Sequence, residues 1–146
     1  MASAAGAGKI LLIDGNDQDR LYFTERLATE YFVFPASNGQ TGLDCFYANS
    51  IDCVILELDL PDMSGFEVLV RLVPVVRRPA VPVIVLTRLT NPMLIDLAFK
   101  NGAQAGFFKA HTSGDVLGAA VRKAMAAVPR SEKEERHREE RIDLST

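Results

Sequence analysis

The chain has 146 residues, of which 48% are hydrophobic and 24% charged, with a formal net charge of −3. That length suits one domain with a sizeable core, and the charge offers no global field for nucleic acid. No apolar run approaches the roughly 20 residues of a membrane helix. The opening MASAAGAG lacks the basic and apolar regions of a signal peptide, so the expected location is cytoplasmic.

Residues 1–8 are small and read as a flexible N-terminus. The first apolar run, KILLID (9–14), ends on Asp14. A helix is expected over 17–30, with Asp17 as N-cap and Leu21 and Leu27 among charges. FVFPAS (32–37) contains Pro35, which cannot donate to a ladder and so places this strand at a sheet edge. Leu43, Phe46 and Tyr47 stand at helical spacing in 39–48. CVILEL (53–58) is apolar up to Glu57, and the turn LPDMSG leads into a helix over 65–73. The stripe of that helix reads Phe66, Leu69, Val70 and Val73, and Pro74 stops it.

PVIVLT (82–87) ends on Thr87. Asn91-Pro92 caps and starts a helix over 93–101, closed by Asn101-Gly102. AGFFK (105–109) is short and suits the other edge. Ser113 caps a last helix over 113–128 with Leu117, Val121, Ala124 and Val128 on one stripe. Residues 129–146 hold five basic and six acidic residues and little that is apolar. They read as a charged linker or helical tail, supported by pairs such as Glu132–Arg136 and Glu134–Arg138. Cys45 and Cys53 fit no metal spacing and read as small buried hydrophobes.

Strand then helix, five times, predicts a single α/β domain over 9–128 with a doubly wound parallel sheet. The runs ILLI, VIL and VIVL lack alternation, as expected of strands covered on both faces. With both edges assigned and right-handed crossovers, the strand order is 2-1-3-4-5, a flavodoxin-like arrangement. Functional groups in such a sheet gather at the carboxyl ends of the strands. Those ends carry Asp14, Glu57, Thr87 and Lys109, which should meet in one pocket.

Residues 9 to about 126 resemble the receiver domain of bacterial two-component signalling proteins. The resemblance rests on ILLID with Arg20 six residues on, LELDLPDMSGFEVL, VIVLT, and the run from Asn101-Gly102-Ala103 to Phe108-Lys109. It implies a phosphoryl group passed from a histidine kinase to an aspartate at the end of strand 3. It also implies Mg²⁺ held by that residue, an acid pair after strand 1 and a backbone carbonyl two residues past the phosphoacceptor. The hydroxyl and the lysine would bind phosphoryl oxygens. The resemblance further implies a partner face, also a homodimer face, made by the fourth helix, fifth strand and fifth helix. Met93, Leu97, Phe99 and Arg122 are its candidates here.

The departures from the family pattern all weaken the usual chemistry. Glu57 stands at the phosphoacceptor position, and the acid pair is reduced to Asp14 by Gly15. Gly106 takes the place of the switch aromatic, Ala110 that of a proline, and Arg88 that of a small residue. The metal set is then Asp14, Glu57 and the Asp59 carbonyl, a weakened Mg²⁺ site. Glu57 is longer by one methylene, and a displacement near 1 Å can cost ~100-fold in rate. Its carboxylate can instead meet Lys109 or Thr87 and stand in permanently for an aspartyl phosphate.

The expectation is therefore a degenerate receiver, not an enzyme, acting through a histidine kinase or other signalling protein without ordinary aspartyl phosphorylation. An alternative is a module of a hybrid sensor kinase or multidomain regulator that retains phosphorylation-linked switching. A purely structural alternative pairs Glu57 with Lys109 or Arg88 to hold the loop ends. Asp17, Asp59 and Asp62 read as turn and cap residues, and His111 and His137 as lone exposed histidines. A flavodoxin-like cofactor binder is a more distant reading, because the loop DGNDQDR carries three aspartates that would repel phosphate. No helix-turn-helix or basic patch points to nucleic acid binding by this chain alone.

Overall fold

The computed structural model describes residues 8–77, 79 and 81–127. Five strands and five helices alternate. They are β1 (Lys9–Ile13), α1 (Asp17–Leu27), β2 (Phe32–Ala36), α2 (Gly39–Ala48), β3 (Cys53–Leu56), α3 (Gly65–Leu72), β4 (Val83–Thr87), α4 (Pro92–Lys100), β5 (Ala105–Phe108) and α5 (Gly114–Ala127). A 3₁₀ turn, Lys109–His111, joins β5 to α5. All pairings are parallel and the order is β2-β1-β3-β4-β5, as the apolar runs predict. The charged segment 129–146, with its proposed ion pairs and His137, lies outside the described residues, as does Val128.

The sheet is covered on both faces, which is why its central strands show no apolar alternation. Ile10, Leu12, Cys53, Ile55, Ile84 and Leu86 pack toward α1 and α5, where they meet Phe23, Leu27, Leu117 and Val121. The intervening residues Leu11, Ile13, Val54, Leu56, Val83 and Val85 pack toward α2, α3 and α4. The period of two therefore persists in three dimensions, although both faces are dry.

Pro35 sits at the open edge for a specific reason. Phe32 N–H donates to the Gly8 carbonyl at 3.0 Å, and the Ala36 carbonyl accepts from Asp14 N–H at 3.0 Å. By alternation, the Phe34 N–H also faces β1, whereas the backbone nitrogens of Val33 and Pro35 face away from it. The missing N–H of Pro35 falls where no ladder partner waits, and it blunts strand addition at that edge.

Several local expectations shift. Asn16, not Asp17, caps α1, accepting from Asp19 N–H at 2.9 Å, and Asp17 is the first helical residue. Leu21 is exposed and Phe23 takes the core position; Tyr47 is exposed as well. The buried stripe of α3 is Gly65, Val68, Leu69 and Leu72, so Val70 points outward. The cause is the first residue of the helix. A Cβ on Gly65 would lie 2.5 Å from Leu58 Cα and 2.6 Å from the Glu57 carbonyl oxygen. The helix start is thus pressed onto the backbone that carries Glu57, and this fixes which face turns inward. Val73, displaced from helical dihedrals by Pro74 (φ −127, ψ 72), ends the helix. α4 closes as predicted: Gly102 at φ +103 allows Ala103 N–H to reach the Ala98 carbonyl and Gly102 N–H that of Phe99.

Because the obstacle at residue 65 is backbone, a side chain there cannot be relieved by a rotamer change. Gly65→Ala is expected to lower unfolding stability by about 1–3 kcal/mol, read from the midpoint of urea denaturation. An unchanged midpoint would mean that the 57–58 backbone yields freely.

Candidate functional site

Of the four residues expected to meet, Asp14, Glu57 and Lys109 come together, whereas the Thr87 hydroxyl accepts from Leu89 N–H. Asp14 follows β1, Glu57 follows β3, Thr87 ends β4, and Lys109 follows β5. Asp14 and Glu57 are each 2% exposed and Thr87 is fully buried. The Lys109 side chain, 9% exposed, reaches across the gap between them.

Its ammonium lies 2.6 Å from Asp14 Oδ2, 2.9 Å from Asp19 Oδ2 and 3.2 Å from Glu57 Oε1. An ammonium has three donors, and here three carboxylates surround it. Burial alone would lower the Lys109 pKa, but the hydrogen bonds to Asp14 and Asp19 outweigh it and hold the ammonium above its usual range. Asp14 goes up too, because burial dominates and the ammonium that opposes it is shared with two other acids.

Glu57 is held at both oxygens. Oε1 accepts Arg88 N–H at 3.1 Å and Oε2 accepts Asp59 N–H at 3.2 Å. The longer side chain thus folds back onto the two loops that flank its strand. Of the partners expected for Glu57, Lys109 is met by its side chain and Arg88 only by its backbone, while the Thr87 hydroxyl pairs with Leu89 N–H instead. The Arg88 guanidinium instead pairs with the Asp59 carboxylate, across the mouth of the pocket. Thr87 Oγ1 accepts Leu89 N–H at 3.1 Å, so the hydroxyl serves the start of the β4–α4 loop.

The turn after β1 is built to present Asp14. Asn16 N–H donates to Asp14 Oδ1 at 2.9 Å. The Arg20 guanidinium donates to the Asp14 carbonyl at 2.8 Å and pairs with Asp17 at 2.6 Å. Asp19 is the site residue that sequence reasoning missed. Once Asn16 is recognised as the cap, Asp19 becomes the third residue of α1, in the first turn where a carboxylate is favoured and beside the end of β1.

Asp62 is also more than a turn residue. Its carboxylate accepts Gly39 N–H at 2.8 Å and Gln40 N–H at 2.9 Å, and so caps α2 from the β3–α3 loop. Slight desolvation opposes these backbone donors, but they prevail and hold its pKa below the usual carboxylate range. Asp59 forms an isolated bridge with Ser64 that shapes the same loop. His111 is exposed. Met93, Leu97 and Phe99 are exposed on α4. Arg122 does not join them: it turns toward α1 and pairs with Glu30 at 3.2 Å.

A divalent ion here would draw on Asp14, Glu57 and the Asp59 carbonyl. As arranged, that set does not fit a resident Mg²⁺. Both carboxylates already hold the Lys109 ammonium, and Gly15 supplies no side-chain oxygen. Among the described residues, no cluster of three acidic, histidine or cysteine side chains has metal-holding geometry. An entering ion would have to displace the ammonium from two acids.

Comparison with known proteins agrees with this architecture. The response regulator receiver domain family matches residues 10–121. A probable cyclic di-GMP phosphodiesterase of Vibrio cholerae is 32% identical over 100 residues, covering 68% of this chain and 23% of that protein. The transcriptional regulatory protein SrrA of Staphylococcus aureus is 34% identical over 67 residues, covering 45% of this chain and 28% of that protein. The chain thus spans about a quarter of the length of these curated relatives. Among solved structures, a response regulator receiver domain protein from Clostridium thermocellum is 30% identical with a TM-score of 0.73, over 82% of this chain and 94% of that one.

Removing the ammonium strands two buried carboxylates. Lys109→Met is expected to cost about 3–5 kcal/mol near neutral pH. The loss should be smaller near pH 5. An unpaired buried carboxyl has its folded pKa raised, so the folded state binds more protons than the unfolded chain and stability falls as pH rises. Urea unfolding of both proteins across that range reads the difference. Equal losses at the two ends would show that the carboxylates do not depend on Lys109.

Proposed function

The chain belongs to the response regulator receiver domain family and is a receiver module of two-component signalling; on that premise we propose that it is a degenerate receiver. In this reading Glu57 replaces a transferable phosphoryl group with a permanent carboxylate. The module then works by protein–protein contact, in the cytosol, without catalytic chemistry of its own. Its partner is a histidine kinase or another signalling protein, with a homodimer through the face of α4, β5 and α5 as a further expectation.

One observation carries the reading: the Lys109 ammonium is already paired with Asp14, Asp19 and Glu57. The donors around Glu57 are the Lys109 ammonium and the backbone N–H groups of Asp59 and Arg88. These are charge-assisted and backbone donors of the kind that bind phosphoryl oxygens. A glutamate satisfies them with about one negative charge, where a phosphoryl group would bring nearly two. For transfer to occur at residue 57, a carboxylate oxygen would have to leave these donors and attack phosphorus in line. It would do so with one acid fewer nearby to organise a metal.

Phosphotransfer assays separate this reading from a module that keeps phosphorylation-linked switching. The wild-type chain, incubated with Mg²⁺ and a small-molecule phosphodonor, is expected to gain no hydroxylamine-sensitive phosphoryl adduct by intact mass. The double variant Glu57→Asp/Gly15→Asp restores the nucleophile length and the second acid, and is expected to gain one. A stable adduct on the wild-type chain at Glu57 would refute the proposal.

A further inference from the structure

The notch at Gly106 points to a second departure from a switching receiver, this one in the packing between α4 and β5. Gly106 pairs with Val85 in the β4–β5 ladder. Its backbone does not call for glycine, since the only positive-φ glycine among the described residues is Gly102. A residue with a side chain would ordinarily be favoured there, because glycine weakens a strand. What excludes one is α4. A Cβ built on Gly106 would lie 2.7 Å from Ile95 Cγ2 and 3.1 Å from Ile95 Cδ1.

Ile95 is 9% exposed, and its neighbour on the same face, Ala98, is fully buried. The contact is stiff. A β-branched residue in a helix has one strongly preferred χ1 rotamer, so Cγ2 cannot swing aside unless the helix itself moves. Glycine at 106 therefore admits Ile95, and Ile95 fills the space in which any larger residue at 106 would have to lie.

We propose that Ile95, seated in the Gly106 notch, pins α4 onto β5 in a single position, so that the exposed apolar surface of Met93, Leu97 and Phe99 is presented constantly, whatever the charge at residue 57. Small displacements at a site are amplified only where the packing has two arrangements. Here the space beside Gly106 is filled by a rotamer-restricted side chain of α4. The proposal rests on reading the chain as a receiver module with a partner surface. It supplies the regulation of that surface: constitutive rather than switched.

Amide hydrogen exchange over residues 92–100, referenced to β1, tests this. Glu57→Gln removes the charge without touching the packing, and α4 exchange is expected to stay within about twofold of wild type. Gly106→Ala forces Cβ against Ile95 and is expected to accelerate α4 exchange by about tenfold or more, the effect of an overpacked core position. In an Ile95→Ala background the same Gly106→Ala change should have little further effect, because the obstructing methyls are gone. Equal acceleration in both backgrounds would overturn the proposal, as would α4 exchange that shifts with Glu57→Gln. Neither result depends on whether the chain accepts a phosphoryl group, so failure here is distinguishable from failure of the degenerate-receiver reading.

Discussion

A single ammonium, that of Lys109, is shared by three carboxylates at the carboxyl edge of this sheet, those of Asp14, Asp19 and Glu57. Asp14 and Glu57 are buried at the ends of adjacent strands, β1 and β3. Two such carboxylates in a weakly polarisable setting repel each other and lose hydration. Lys109 arrives from β5, at the far edge of the sheet, and Asp19 from α1; together the four groups tie three strands and a helix at one point. Screening inside the pocket is weaker than in water, with an effective dielectric of about 20 rather than 80, so the arrangement is decided by charge pairing more than by shape.

Glu57 sits at the centre of that arrangement. Within the pocket, Glu57 has to meet Lys109 while also accepting the N–H groups of Asp59 and Arg88, which lie on different loops. The two oxygens divide this work, one toward β4 and one along its own loop. The loops are held in turn: Gly65 presses α3 onto the Glu57–Leu58 backbone, and Asp62 ties the β3–α3 loop to the start of α2. The result is a carboxylate fixed from several sides, in a setting suited to a static charge.

Much of the fold was legible in the sequence because its signals are local. The continuous apolar runs marked the buried strands, Pro35 marked an open edge, and Asn91-Pro92 with Asn101-Gly102 bracketed α4. The meeting of Asp14, Glu57 and Lys109 then followed from strand order alone. What remained hidden depends on tertiary contacts. The inward face of α3 is chosen by backbone contact at Gly65, which moved Val70 out to solvent. Asp19 joins the site only because Asn16 rather than Asp17 caps α1. Arg88 pairs with Asp59 and Arg122 with Glu30, pairings 29 and 92 residues apart that no spacing rule reaches.

On the proposed reading, a receiver-family chain keeps its architecture while its carboxylates hold the lysine in place of a phosphoryl group. The central claim is that Lys109 is permanently engaged by carboxylates, Glu57 among them. Heteronuclear NMR of the Lys109 side-chain ammonium, recorded as Mg²⁺ and then a small phosphodonor are added, tests it most directly. The account predicts one slowly exchanging ammonium signal that neither addition moves. A signal that shifts on metal binding and again with the phosphodonor would contradict it, and would mean that the site still opens to receive a phosphoryl group.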